Sequence, residues 1–392
     1  MTPDRREIPR VLVVHNRYRI RGGEERSVED LVSLLRERGH AVDLLERRSD
    51  QLAGLSGKVR GGTGILGGGL APGEIRSAVR TLDAKILHAH NTVPLLGPRA
   101  LQAGRDAGAA IVMHLHNYRL FCAIGIAYRD GAPCTRCRGR WTWPGARLRC
   151  RGPTAESFTY AAGLALQQGR VLEAVDQFIV PSRGAERVLG ELGLPAGRCE
   201  VIPHFLPDSA FAGHSSAEQG GYALFVGRLT EEKGADTVID AARRAGVPLA
   251  IAGEGPDELR LRHLAANGQG SDIRFLGRLG GADMDRARAG AAFAVAPSRW
   301  HEPHPYAVAE AMAAGLPVLA SRTGGLPELV GPGSTLPPRD VGAWADAMRD
   351  LWKSPESRRH SGEAALGRAR ARFDEARYYG RLMACYRRVS SR

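Results

Sequence analysis

Short apolar runs alternate with helical segments along the whole chain. In the first half the runs are VLVVH (11–15), AVDLLE, KILHAH (85–90) and AIVMHLH (110–116), with stretches such as SVEDLVSLLRERGH between them. The pattern restarts in the second half, with runs at 222–228, 249–255, 272–278, 291–298 and 316–321. Runs this short, separated by helically spaced segments, are typical of parallel βαβ units. The sequence therefore predicts an α/β protein with two Rossmann-like, doubly wound domains that face each other across a cleft.

Pro203 and Pro207, in the segment VIPHFLPDSA, mark the expected linker between the two domains. The predicted parts of the chain are a first domain (1–202) with a cysteine-containing insertion (about 122–150), a second domain (203–373) and a final helix (374–392). The final helix carries aromatic residues and is expected to pack back on one of the domains, with the first domain as the candidate partner. The glycine run GTGILG fits the dinucleotide fingerprint, but no clear strand precedes it, so we expect a flexible loop there.

Basic residues are concentrated in the first half of the chain. The whole chain of 392 residues has a net charge of +13, and residues 1–200 hold 30 basic against 20 acidic residues. A basic surface attracts anionic membranes, anionic substrates and nucleic acids alike. No apolar run approaches the roughly 18 residues that span a bilayer. The charged N-terminus has no apolar core of a signal peptide, so we expect a cytoplasmic protein.

Two cations bracket a turn in the segment VGRLTEEKG. A strand is expected to end at Gly227, and Arg228 and Lys233 then flank the start of a helix. Backbone N–H groups and the helix dipole add to the side-chain charge at such a position, which makes it a good diphosphate site. Taken alone, a surface loop with solvated charges is an equally good interpretation.

Two carboxylates follow about 70 residues later, in WHEPHPYAVAEAMAAGLPV. Glu302 and Glu310 are eight residues apart, one in a loop and the other in the helix that follows. Carboxylates aligned on a cleft can accept hydrogen bonds from sugar and ribose hydroxyls. The alternative is a surface helix with two unrelated glutamates, which the upstream pair Arg228 and Lys233 makes less favourable.

The segments GRLTEEKG, IAGEGP, FLGRL and EAMAAGLPVLASRTGGLPE together resemble the C-terminal domain of the retaining glycosyltransferases of family 4, which have the GT-B fold. The resemblance is strong over about 220–330. The first half is similar more loosely, through the Gly22-Gly23-Glu24 loop and the segment HNYRLFC. The resemblance implies transfer of a hexosyl or N-acetylhexosaminyl group from a nucleotide diphosphate sugar. It makes the first domain the acceptor side and the second domain the donor side.

The resemblance also implies roles for individual residues. Arg228 and Lys233 would hold the donor diphosphate and neutralise the leaving group. Glu310 would bind the ribose, Glu302 would contact the donor sugar near the reacting carbon, and His116 would lie on the acceptor side. The remaining donor-binding positions are Gly22, Gly23, Gly227, Gly253, Gly255, Pro256, Arg278, Leu279, His304 and Tyr306. A front-face mechanism with retention is implied, and because two cations can stand in for a metal ion, no metal cofactor is expected for catalysis.

Four of the six cysteines fall between residues 122 and 150. Cys134 and Cys137 have the spacing of a zinc knuckle, and Cys122 and Cys150 flank them. Four thiolates can form a tetrahedral structural zinc site. Reduced thiols without a ligand, in an arginine-rich loop, are the equally open alternative.

The alternative function class is a basic nucleic-acid-binding protein stabilised by zinc. Nucleic-acid binding predicts a basic stripe with interleaved aromatic residues. The most specific motifs lie instead in residues 201–392, which hold 25 basic and 22 acidic residues. The expected partners are therefore a nucleotide diphosphate sugar and an acceptor, but no nucleic acid. The acceptor is a saccharide, a lipid-linked sugar or a small natural product, and a lipid-linked acceptor would bring the first domain to the inner face of the membrane.

Overall fold

The computed structural model describes residues 8–18, 22–52, 54–211, 215–267 and 270–391, so that most of the charged N-terminus lies outside the described residues. The first half forms a six-stranded parallel sheet. Its strands are β1 Val11–Arg17, β2 Val42–Arg48, β3 Ile86–Ala89, β4 Ala110–His114, β7 Gln177–Val180 and β8 Cys199–Val201. A small antiparallel hairpin, β5 Tyr128–Arg129 and β6 Ala132–Pro133, lies in the cysteine-containing segment. The order across the first sheet is β2-β1-β3-β4-β7-β8.

The second half forms another six-stranded parallel sheet. Its strands are β9 Ala223–Val226, β10 Leu249–Ala252, β11 Ile273–Gly277, β12 Phe293–Ala296, β13 Val318–Ser321 and β14 Thr335–Leu336. The order across the second sheet is β11-β10-β9-β12-β13-β14. Both orders reverse direction once, as in doubly wound folds. The predicted fold class is confirmed.

Helices connect the strands of both sheets. In the first half they are α1 Gly23–Glu37, α2 Gly54–Gly67, α3 Pro72–Leu82, α4 Gly97–Asp106, α5 Trp143–Arg147, α6 Thr154–Ala174 and α7 Arg183–Leu192. In the second half they are α8 Ala235–Ala245, α9 Glu258–Ala266, α10 Gly281–Ala289, α11 Tyr306–Ala313, α12 Leu326–Val330, α13 Val341–Lys353, α14 Pro355–Arg372 and α15 Glu375–Ser390. Across the described ranges, none of the helices is both long and apolar enough to cross a bilayer.

Strand β1 shows why the apolar runs form buried strands. Leu12 and Val14 pack into the core on one face of the first sheet, and Val11 and Val13 pack into the core on the other face. Successive side chains of a strand point to opposite faces, so a strand covered by helices on both sides must be apolar throughout. This is the pattern of VLVVH.

The final helix, α15, returns to the first sheet. Tyr378, Leu382 and Tyr386 lie in the same apolar core as Val11 and Val13 of β1. Ala369 of the preceding helix, α14, and Phe373, which follows that helix, instead belong to the core of the second half. The chain therefore crosses between the two halves twice, once before β9 and again between α14 and α15.

The glycine run GTGILG lies within helix α2, so the predicted flexible loop is wrong. A Cβ on Gly64 would lie 2.6 Å from the Pro94 carbonyl oxygen, and a Cβ on Gly163 of α6 would overlap the Ile65 side chain. The glycines therefore allow close packing of α2 against its neighbours. This tertiary packing outweighs the low intrinsic helix propensity of glycine.

Candidate active site

The carboxyl ends of the two sheets meet across one cleft. The Tyr118 phenol, which follows β4, donates a hydrogen bond of 2.6 Å to the carbonyl oxygen of His301, which follows β12. A Cβ placed on Gly23, at the start of α1, would lie 3.2 Å from the Tyr306 ring at the start of α11. Ligands of open α/β sheets bind beyond the carboxyl ends of the strands, where the strand order reverses. The cleft is therefore the candidate site.

Glu302 is a buried carboxylate on the second-domain side of this cleft. Its Oε1 accepts hydrogen bonds from the Lys233 ammonium and, at 2.6 Å, from the Ser298 hydroxyl. Burial alone would raise the pKa of Glu302, but Lys233 and Ser298 outweigh burial and hold the pKa below its usual range. Two residues that were predicted to act on one donor are thus in direct contact.

Arg228 and Lys233 bracket a short turn at the end of β9. Lys233 closes the 3-10 turn Glu231–Lys233, and α8 begins two residues later. The Arg228 guanidinium lies 3.2 Å from the Glu232 carboxylate and its side chain is 57% exposed, whereas that of Lys233 is 17% exposed. Lys233 is therefore held inside the cleft, and Arg228 is accessible to a ligand.

Glu310, in α11, has two cationic partners. Arg26 of α1 donates to one carboxylate oxygen and Arg288 of α10 donates to the other. The Glu310 side chain is 15% exposed. The carboxylate that is predicted to bind ribose is therefore paired with one arginine from each domain.

The loops that follow β9, β10 and β11 pack tightly against one another. A Cβ on Gly253, which has φ +149°, would overlap the carbonyl oxygen of Gly227, and a Cβ on Gly255 would overlap that of Leu229. The Gly253 N–H donates to the Gly277 carbonyl oxygen at 2.7 Å. Only glycine allows this close approach, which brings together the segments that hold four further predicted positions. These are Gly227, Pro256, Arg278 and Leu279, of which Pro256 and Arg278 are exposed.

Glu25 holds two residues that precede or begin the entry to α1. Its carboxylate accepts from the N–H groups of Tyr18 at 2.9 Å and Gly22 at 2.8 Å. Burial would raise the pKa of Glu25, but the nearby His15 ring and the hydrogen bonds from these two N–H groups lower the pKa to about 2. Tyr18 and Gly22 are therefore held close to Gly23, the residue that approaches Tyr306.

His116 belongs to a buried stack of histidines. Its Nε2 lies 2.7 Å from His90 Nδ1, and its ring stacks on His114 at 4.2 Å and on His204 at 5.2 Å between centroids. The stack continues to His88, whose Nδ1 lies 2.6 Å from the Tyr386 hydroxyl oxygen. Burial holds the pKa of these rings below the usual range. They are therefore neutral imidazoles at neutral pH.

His304 and Tyr306 extend this stack into the second domain. The His204 ring stacks on Tyr306 at 5.1 Å and meets His304 edge-on at 5.0 Å. The Arg26 guanidinium lies 4.8 Å from the centre of the Tyr306 ring. His304 and Tyr306 are therefore both in the cleft, where they contact His204, and Tyr306 also contacts Arg26 of the first half.

Two family models together match most of the chain. The model described as Glycosyltransferase Family 4 matches residues 21–209, and the model described as Glycosyl transferases group 1 matches residues 208–368. The chain belongs to glycosyltransferase family 4. Membership of this family does not favour the nucleic-acid-binding alternative.

Two curated relatives each match about two-fifths of this family 4 chain. It is 36% identical over 160 residues to a glycogen synthase of Mycobacterium tuberculosis, a match that covers 38% of each protein. It is 33% identical over 169 residues to a GDP-mannose-dependent monoacylated alpha-(1-6)-phosphatidylinositol monomannoside mannosyltransferase of Corynebacterium glutamicum. That match covers 40% of this chain and 43% of the relative.

Solved structures resemble the family 4 chain over nearly its whole length. Sucrose-phosphate synthase from Thermosynechococcus elongatus has a TM-score of 0.71 and 17% identity, with 98% of this chain and 99% of the other covered. HepE from Anabaena, in complex with UDP, has a TM-score of 0.66 and 17% identity, with 96% and 99% covered. At such identities the likeness establishes the shared GT-B fold.

The four cysteines at 122–150 line one cavity of the family 4 chain. Cys122, Cys134, Cys137 and Cys150 surround it together with Tyr128 and residues of α5. Burial, followed by the neighbouring thiols, raises the pKa of Cys137 to about 11. In the described part of the chain, two groups of three residues have side-chain ligand atoms that all lie within 4.8 Å of one another. Both groups consist of histidines, and neither includes one of these cysteines.

Several residues of the site carry no signal in the sequence of this family 4 chain. Arg26 and Arg288 reach Glu310 from two different helices, and Ser298 reaches Glu302 from the end of β12. Arginine is so frequent in this sequence that no single one stands out. Only the position of Arg26, two residues after the Gly22-Gly23-Glu24 loop, could have drawn attention to it.

Proposed function

We propose that this protein is a retaining glycosyltransferase that moves a sugar from a nucleotide diphosphate donor to a saccharide, a lipid-linked sugar or a small-molecule acceptor. The observation that carries the proposal is the contact between Lys233 and Glu302 in a cleft that also contains Arg228 and Glu310. A cation beside a buried carboxylate is suited to a ligand with a diphosphate at one end and hydroxyl groups at the other. HepE, a structural neighbour, has been solved with UDP-glucose, which supports this class of donor.

In the proposed mechanism the donor diphosphate lies over the turn between Arg228 and Lys233. The two cations stabilise the charge that develops on the leaving phosphate, which is the largest electrostatic demand of the reaction. Glu302 remains ionised and accepts hydrogen bonds from the transferring sugar, while Glu310 accepts from the ribose. The acceptor hydroxyl attacks from the same face of the sugar and gives its proton to the leaving phosphate, so that configuration is retained.

No metal cofactor is assigned to catalysis in this proposal. Arg228 and Lys233 already supply two positive charges at the position of the diphosphate. The four cysteines are proposed to hold a structural zinc ion, because four thiols of one segment line the same cavity. Elemental analysis of freshly purified protein tests this part: one zinc per chain, lost in Cys134→Ser, is expected, and absence of zinc contradicts it.

The first domain is proposed to contact the inner face of a membrane. In the described part of the chain, seven of the nine exposed large hydrophobic side chains lie on α2, on α6, or on or beside α5, and α6 contacts both α2 and α5. They are Leu55, Val59, Leu66, Trp141, Trp143, Phe158 and Leu166. Exposed basic side chains lie in the same segments, including Lys58, Arg60, Arg138 and Arg140. Apolar and aromatic residues among cations are typical of surfaces that bind anionic bilayers.

A screen of nucleotide sugars by thermal shift tests the proposed function first. A donor that binds the folded state raises the melting temperature by mass action. We expect one or a few nucleotide diphosphate sugars to stabilise the protein, and the same compounds to release nucleoside diphosphate when an acceptor is supplied. A flat response to all nucleotide sugars at millimolar concentration would contradict the proposal.

A further inference from the structure

We infer that a cavity of the first domain, between α2, α4 and α6, binds the apolar part of the acceptor and directs its hydroxyl toward His116. The cavity has a volume of about 710 Å³, including the solvent at its mouth. This inference rests on the proposed function, because it names the chemical class of the acceptor. The class is an amphiphile, with a hydrocarbon or aromatic body and a hydroxyl-bearing head.

The walls of the cavity are largely apolar. Aliphatic and proline side chains come from α2, α4, α6, β4 and the segments after β3 and β4. They are Ile65, Val93, Pro94, Pro98, Met113, Leu115, Leu120, Leu164 and Val171. Burying apolar surface against such walls stabilises a ligand by roughly 25 cal/mol per Å². A hydrocarbon or aromatic group is therefore the ligand that gains most from this cavity.

Two glutamines among these walls already have hydrogen-bond partners. Gln167 donates to the Leu66 carbonyl oxygen at 2.5 Å, and Gln168 donates to the Leu120 carbonyl oxygen at 3.1 Å. A saccharide placed between these walls would leave most of its hydroxyl groups without partners, which is costly in a buried site. The walls therefore disfavour a sugar in this part of the cavity.

One end of the cavity is polar rather than apolar. His90, His114, His116, Asn117 and Glu24 line it. Within the described residues, the buried nitrogens His90 Nε2, His114 Nδ1, His114 Nε2 and His116 Nδ1 have no hydrogen-bond partner. Buried polar atoms in native proteins are nearly always satisfied, so these nitrogens point to a ligand with hydroxyl groups.

Glu24 is the carboxylate at this end. It accepts from Asn117 Nδ2 at 2.8 Å and lies 3.9 Å from His15 Nδ1. Burial raises the pKa of Glu24 to about 7. Glu24 can therefore accept a hydrogen bond from an acceptor hydroxyl when ionised and donate one when protonated, next to His116 in the reaction cleft.

Helix α6 provides a matched pair of positions for the test. Leu164 lines the cavity, whereas Leu166, two residues later, faces outward and is 53% exposed. Leu164→Trp fills the cavity, and Leu166→Trp makes the same substitution on the outer face. Val171→Phe fills the cavity from another position and serves if Leu164→Trp does not fold.

The probes are methyl β-D-glucoside and hexyl β-D-glucoside below its micellar concentration, with binding measured by calorimetry. We expect the unmodified protein and Leu166→Trp to bind the hexyl compound at least roughly tenfold more tightly, because additional methylene groups are buried. Leu164→Trp should remove this preference and leave the affinity for UDP or GDP, whichever the protein binds, unchanged.

Equal affinities for the methyl and hexyl compounds in the unmodified protein would overturn the inference. So would a preference for the hexyl compound that survives in both folded cavity-filling variants. The nucleotide titration distinguishes a failure of the acceptor inference from a failure of the proposed function. If nucleotides bind but the chain-length preference is absent, only the acceptor inference fails, whereas a protein that binds no nucleotide contradicts the proposed function itself.

Discussion

Arg26 of the first domain donates a hydrogen bond to the Glu310 carboxylate of the second domain, across the cleft between the two sheets. Arg288 donates to the other oxygen of the same carboxylate. The group proposed to bind the donor ribose is thus occupied by two cations before any donor arrives. We expect donor binding to replace at least one of these contacts by a contact with a ribose hydroxyl.

Arg26→Ala should therefore increase the affinity for the donor nucleotide. Partly exposed ion pairs contribute about 0.2–1 kcal/mol, so we expect a roughly two- to fivefold lower dissociation constant by calorimetry. Arg359→Ala, which removes an exposed pair with Glu363, is the matched control and should change nothing. Weaker binding in Arg26→Ala would instead mean that Arg26 contacts the donor directly.

The two cleft glutamates should differ in what they affect. Glu310→Gln should mainly weaken donor binding, because a hydrogen bond to a charged group is worth about 1.5–3 kcal/mol. Glu302→Gln should lower the turnover number more than it changes donor affinity, because its contact strengthens in the transition state. Calorimetry gives the affinity and product release gives the turnover. Unchanged donor affinity and unchanged turnover in both variants would show that the two glutamates neither bind the donor nor assist the reaction.

The fold was readable from the sequence because its strands are buried on both faces, which makes each one a short apolar run such as VLVVH. The pattern does not predict β8 and β14, because three and two residues respectively carry too little of it. It does not predict β7 either, although β7 is as long as β3. The sequence predicts a loop within what is helix α2, because the glycines there suit a turn equally well. Only the packing of Ile65 against Gly163, about 100 positions away in the chain, decides between them.

Part of the candidate site could be predicted from the sequence. Arg228, Lys233, Glu302 and Glu310 stand in motifs with a recognisable spacing. The contact of Arg26 with Glu310 joins residues 284 positions apart and depends on how the two domains meet, which no local pattern encodes. The histidine stack could not be predicted from local patterns either, because its members come from separate strands and from the linker.

Stability should fall as the pH drops below neutrality. Six buried histidines have a pKa below the usual 6.5, so the unfolded chain binds their protons at a higher pH than the folded protein does. They are His88, His90, His114, His116, His204 and His304. Each contributes stability that is complete above pH 6.5 and declines below it by about 1.4 kcal/mol per pH unit. For His88 the decline continues to about pH 3.

Glu24 acts in the opposite sense, because its pKa is raised to about 7 in the folded protein. It adds stability as the pH falls toward its unfolded value, but one such group cannot offset six histidines. Denaturant unfolding at several pH values between 5 and 7 checks this. His88→Gln should reduce the slope of unfolding free energy against pH by about 1.4 kcal/mol per unit. A slope that is the same in both proteins would mean that His88 is protonated in the folded state.

Membrane binding should depend on the exposed apolar residues of α2. The double variant Leu55→Ser, Val59→Ser should reduce sedimentation with anionic vesicles, and binding should weaken with salt because exposed charges are screened over about 8–10 Å. Leu259→Ser removes an equally exposed leucine from α9 of the second domain and should leave vesicle binding intact. If the unmodified protein does not sediment with anionic vesicles at low salt, the membrane contact is excluded.

The most direct test of the central claim is the turnover of Arg228→Ala and Lys233→Ala with the identified donor. Loss of one preorganised electrostatic contact to the leaving group costs about 2.7–4 kcal/mol of transition-state stabilisation. We therefore expect turnover to fall by about two to three powers of ten in each variant. The melting temperature should stay unchanged in Arg228→Ala, whereas Lys233→Ala should lower it, because the buried Glu302 carboxylate loses its cation. Arg349→Ala, which removes a partly exposed arginine paired with Asp346, is the control and should keep full activity. Near-normal turnover in both cleft variants would show that the cleft between Arg228 and Glu302 does not hold the donor diphosphate.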